Sequence, residues 1–115
     1  MGTWNAGIFD DDIALDIKAE FDDALAEGMT VKEATKQILE SFEDVLEDDE
    51  ESPIVYLALA ALQLEKGEIQ KNIKKKALQI IESEQGMERW EEAGAELFVQ
   101  RKVILNELKR NLVQR

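Results

Sequence analysis

The chain has 115 residues, a formal net charge of −12 from 26 acidic and 14 basic side chains, and neither His nor Cys. That excludes disulfides, Ser-His and Cys-His nucleophile pairs and an ordinary zinc site, leaving carboxylates, lysines, Tyr56 and a few hydroxyls for chemistry. The acidic balance argues against nucleic acid and anionic membrane surfaces as partners, and any metal would be a hard cation such as Mg²⁺ or Ca²⁺ held by oxygens.

Strand signals are nearly absent, whereas helical periodicity and capping residues recur, so the chain reads as one all-α domain over residues 1–115. Residues 1–10 hold Trp4 and Phe9 in a stretch too short and too glycine-rich for a helix. We expect a hook in which these aromatics plug the end of the bundle, with Gly2 and Gly7 permitting tight turns and Asp10, Asp11 and Asp12 at the start of the first helix. This start lacks the basic and apolar regions of a signal peptide, and the longest apolar run, Ile54 to Leu62, is too short to span a bilayer. A soluble, cytoplasmic protein is expected.

The first helix is expected from about Asp11 to Glu27, with Ile13, Ile17, Phe21 and Leu25 on one stripe and Gly28 ending it. Thr30-Val31-Lys32-Glu33 reads as a capping box opening a second helix, whose core face is Val31, Ala34, Ile38, Phe42 and Val45 or Leu46. Ser52-Pro53 reads as a cap followed by proline at the first helical position, opening a third helix to Lys66. Apolar nearly all round through Leu62, it should be the central buried helix. A fourth, from about Glu68 to Glu84, turns Ile69, Ile73, Ala77, Ile80 and Ile81 inward and Lys71, Lys74, Lys75 and Lys76 outward.

The fifth and longest helix is expected from Met87 to Val113, within a C-terminal segment of residues 87–115. It carries Trp90, Ala93, Leu97, Phe98, Ile104, Leu105, Leu108 and Leu112 on one side, together with Arg101. At about 40 Å it would outreach its neighbours. Either the helix simply packs along the bundle, or part of that stripe is covered by a second copy, making a homodimer through this helix, or by another protein. Short joints containing Gly or Pro imply antiparallel neighbours in a compact bundle of about five helices.

Charge is unevenly placed. Residues 1–66 hold 18 acidic and four basic side chains, a net −14, whereas residues 67–115 hold eight and ten, a net +2. The peak runs from Glu40 to Glu51, eight carboxylates in twelve residues. It reads either as a solvated helix end or as a docking surface for a basic protein, with Glu43, Glu47, Asp48, Asp49, Glu50 and Glu51 at the interface. An EF-hand is excluded by the lack of glycine in the required place. The lysines of the fourth helix read as solvating that helix or neutralising the acidic run within the molecule.

The opening Met1-Gly2-x-Trp4-x-x-Gly7-x-Phe9-Asp10-x-Asp12-x-Ala14-x-Asp16 resembles that of a small bacterial family known as a domain of unknown function. Its members begin M-G-x-W-G-x-G-x-F-D-x-D-x-A-x-D. Asn5 stands where the family prefers Gly. The block Thr30 to Leu39, the acidic run, Leu57-Ala58-Leu59-Ala60 and Gly67 also look like that family, so the resemblance covers most of residues 1–85 and weakens beyond. It implies a fold and no chemistry.

The function expected is a non-catalytic, acidic protein-binding module without cofactor or metal. Its most concrete form is an immunity or antitoxin protein neutralising a basic partner such as a toxin. The alternatives are a structural homodimer and an enzyme holding Mg²⁺ on Asp10, Asp12 and Asp16.

Overall fold

The computed structural model describes residues 12–48, 51–83, 91–92 and 94–114. Among them are six helices and no strand, an all-α bundle: α1 (Asp12–Ala26), α2 (Val31–Ser41), α3 (Glu43–Leu46), α4 (Ser52–Lys66), α5 (Lys71–Ser83) and α6 (Ala95–Val113). The expected hook residues Trp4, Gly7, Phe9 and Asp10 lie outside the described residues, as do Asp49 and Glu50 of the acidic run.

The core is organised on α4, where Pro53, Ile54, Val55 and every residue from Leu57 to Leu64 are buried. A helix apolar on all sides needs neighbours on all sides, and α4 packs against each of the other five described helices. On one flank α1 contributes Ala14, Ile17, Phe21 and Ala24 and α2 contributes Val31, Ala34 and Ile38. On the other, α5 brings Ile73, Ala77, Ile80 and Ile81, and α6 brings Leu105, Leu108 and Leu112.

Local chemistry fixes the joints. Thr30 Oγ1 accepts the Glu33 backbone N–H at 3.1 Å while Glu33 Oε1 accepts the Thr30 N–H at 3.0 Å, the reciprocal capping box expected from the sequence. At the end of α4, Gly67 takes φ +75°, its N–H donates to Leu64 O at 3.0 Å, and the Glu68 N–H reaches back to Gln63 O at 3.0 Å. This pair of bonds satisfies carbonyls that the helix end leaves free, and it needs a left-handed residue that glycine supplies without steric cost.

Four boundaries differ from the sequence reading. The expected second helix breaks at Phe42 (φ −105°, ψ 25°), and the chain restarts as the single turn α3. The break lets Phe42, Val45 and Leu46 all pack, half-buried, on the core. Helix α4 begins at Ser52, and Glu51 in front of it makes no side-chain cap; Pro53 falls in the first turn. Helix α5 starts at Lys71 instead of Glu68, because Glu68 closes α4 and the Gln70 N–H is taken by the Gln63 side chain.

The largest difference is in the last helix. Gly94 sits at φ +142°, ψ 149°, a region open essentially to glycine alone, so the helix expected to run through from Met87 is interrupted. Helix α6 has 19 residues, about 28 Å at 1.5 Å per residue, shorter than the unbroken helix expected. Its described core stripe is covered within the chain: Leu105, Leu108 and Leu112 are buried, Phe98 and Ile104 pack half-buried on the core, and Arg101 is 4 % exposed.

Candidate functional site

The two flanks of α4 carry opposite charge. Residues 12–48 hold twelve acidic and three basic side chains, a net −9. Helices α5 and α6 together hold eight basic and three acidic ones, a net +5. Both α5 and α6 pack on α4 and on each other, while α1, α2 and α3 form the acidic group.

Within the acidic flank Glu40 lies at the end of α2, and Glu43, Asp44 and Glu47 lie on and just after α3, all exposed. Carboxylates three and four residues apart on a helix are neighbours, as Glu43, Asp44 and Glu47 are on and just after α3, while Glu40 stands before the break at Phe42. Among the described residues none of the four is in an ion pair. Mutual repulsion between such groups is lowest when each keeps its water, and a cation arriving there relieves it.

The other expected interface residues behave differently. Asp48 is exposed, but its Oδ1 accepts the Glu51 N–H at 3.3 Å and its carbonyl accepts the Ser52 N–H at 2.8 Å, so it serves the turn into α4. Glu51 is half-buried. Asp44 and Glu40 were not among the interface residues expected from the sequence. Their membership of the same acidic run is the signal that points to them. Asp12 opens α1 as an exposed first-turn acid, consistent with the helix dipole.

Glu82 on α5 pairs with Lys109 on α6 at 3.6 Å, and two acids of the other flank have their partners within one helix or its cap. The Glu33 carboxyl is held below its ordinary value, first by the hydrogen bond from the Thr30 backbone N–H and then by the Thr30 side chain. The Lys18 ammonium is raised, first by its 3.0 Å hydrogen bond to Asp22 Oδ2 and then by that carboxylate's charge. Both are surface features of single helices. Among the described residues no three His, Cys, Asp or Glu side chains stand close enough to hold a metal ion, and Asp12 and Asp16 are both exposed. Asp10, the third ligand of the Mg²⁺ alternative, lies outside the described residues.

Among the described residues the lysines of α5 make no ion pair with the acidic run. Lys71 and Lys75 are exposed and Lys74 half-buried, none in an ion pair among the described residues; the Lys76 ammonium sits 5.5 Å from the centroid of the Tyr56 ring.

One buried polar network centres on Gln63. Its amide is fully enclosed and donates to Thr35 Oγ1 at 2.8 Å and to Gln70 Oε1 at 2.9 Å, while its Oε1 accepts the Gln70 N–H at 2.9 Å. Thr35 in turn donates to Val31 O at 2.8 Å. This network ties α2, α4 and the entry to α5 together.

The chain matches the family described as "Domain of unknown function (DUF4259)" over residues 2–113. It belongs to that family. The match runs past the residues 1–85 expected from the opening motif and takes in the whole of α6. No curated protein and no solved structure is found to be similar to it. Among the described residues no helix is long and apolar enough to cross a membrane.

Proposed function

We propose that this chain is a non-catalytic protein-binding module whose acidic flank docks a basic protein, most concretely as a cytoplasmic immunity or antitoxin protein neutralising a basic toxin. The observation that carries this reading is the run of exposed carboxylates Glu40, Glu43, Asp44 and Glu47, without ion pairs among the described residues, on a flank of net −9. Charge of one sign on one face raises association rates and rejects partners of the same sign. A chain without His or Cys offers few groups for turnover.

The reading is tested by capturing tagged protein from its native lysate at about 0.05 M salt and washing in parallel at about 1 M, where the screening length falls to about 3 Å. A stoichiometric basic protein retained at low salt and released at high salt supports it. Retention indifferent to salt, or capture of acidic proteins only, contradicts it.

A further inference from the structure

The four exposed large hydrophobic side chains among the described residues lie on only two helices: Leu15 (48 % exposed) on α1, and Val99 (57 %), Val103 (55 %) and Val113 (61 %) on α6. On α6 the outer face reads Val99, Val103, Asn106, Arg110 and Val113, with Lys102 beside it, all exposed. These steps of four and three residues make a continuous seam along a helix. Valine is a poor choice for a permanently wet helix surface, because it loses side-chain freedom there and gains no burial.

The outer face of α1 repeats that layout with the opposite sign. Asp12, Asp16, Ala19, Asp23 and Ala26 follow the same spacing, with Leu15 beside them, and all six are exposed. One face therefore sets small residues and a leucine among aspartates, and the other sets valines around an arginine and a lysine. They cannot cover each other within one molecule, since α1 packs on α2 and α4 while α6 packs on α4 and α5.

We propose that a second copy of this chain docks through these faces, its acidic α1 lying along the basic, valine-bearing α6 of the first. Aspartates at 16 and 23 face the basic side chains at 102 and 110, and Leu15 and the alanines meet the valines. A contact no longer than the 15 residues of α1, about 22 Å of helix, belongs to the small and transient class of interfaces. The net charge of −12 on each copy opposes approach. At about 0.1 M salt the screening length of about 10 Å removes most of that repulsion while leaving pairs in contact. At about 1 M even close pairs are screened.

The test is sedimentation equilibrium of the full chain at concentrations up to about 1 mM. Wild type is expected to self-associate at about 0.1 M salt and at least about tenfold more weakly at about 1 M. The variants K102E/R110E and D16K/D23K alter only exposed positions, and far-UV circular dichroism checks that each stays folded. Each alone is expected to associate at least about tenfold more weakly, and an equimolar mixture is expected to recover association, because the unchanged α1 of one variant meets the unchanged α6 of the other and the acidic α6 meets the basic α1. A wild type monomeric throughout, or a mixture of folded variants that stays monomeric, overturns the proposal. Because Glu43, Asp44 and Glu47 take no part in this contact, its failure leaves the docking of a basic partner untouched.

Discussion

Replacing Gln63 by methionine isolates the buried amide network, because the two side chains are close in length and only the hydrogen bonds are lost. Gln63 makes three of them, to Thr35 Oγ1, Gln70 Oε1 and the Gln70 N–H. At about 1 kcal/mol net for each, removal of all three costs about 3 kcal/mol. Two features reduce that figure. The Thr35 hydroxyl keeps its donation to Val31 O, and Gln70 is half-buried, so water reaches its freed N–H. A loss of about 2 kcal/mol is expected for Gln63→Met, a fall in Tm of about 8 °C for a domain of this size. Thr35→Val removes two bonds, the one accepted from Gln63 and the one donated to Val31 O, and leaves one Gln63 N–H without its partner in the core, again costing about 1–3 kcal/mol. The double variant should cost less than the two singles added, by about 1 kcal/mol, since the orphaned donor is gone. Urea denaturation of the four proteins measures all these quantities. Strict additivity, or a Gln63→Met protein as stable as wild type, refutes the reasoning.

Three further substitutions probe the frame. Thr30→Ala removes the cap of α2 and should cost about 1 kcal/mol. The capping box holds Glu33 below its ordinary value of 4.5, so its stabilisation is full above pH 4.5 and is lost as pH falls through the lower folded value. Following the Glu33 carboxyl carbon by NMR should show that midpoint rise only part of the way toward 4.5 in Thr30→Ala, because the backbone N–H of residue 30, the larger cause, remains. Gly67→Ala meets no atom within 4 Å, so its whole cost is the left-handed backbone, about 1–2 kcal/mol by thermal unfolding. Leu108→Ala, at a fully buried site between α6 and α4, should cost about 3–5 kcal/mol in urea, the upper end marking a core that does not relax into the cavity.

How far the sequence could be read depended on whether the signal was local. The capping box at Thr30, the glycine ends of α1 and α4 and the all-round apolarity of α4 are short-range features, and each formed as expected. Phe42 was different. Its apolar spacing continues the pattern of α2, and the break appears only because Val45 and Leu46 reach the core better from a restarted turn. Gly94 likewise sits within an unbroken periodic stripe, and composition does not reveal a φ of +142°. Gln63 looked like the polar end of an apolar run, whereas its partner Thr35 lies 28 residues away, beyond any helical period. The acidic run was legible as composition, but the turn bond of Asp48 to Glu51 was not, because it depends on how the chain enters α4.

The central claim, that the acidic flank is a docking surface, is tested most directly by repeating the lysate capture with wild type and Glu40→Gln/Glu43→Gln/Asp44→Asn/Glu47→Gln side by side. These four positions are exposed, so the variant keeps its fold and loses only charge. The account predicts that a basic protein captured by wild type falls at least about tenfold in the variant. Equal recovery of the same partner by both proteins would contradict it.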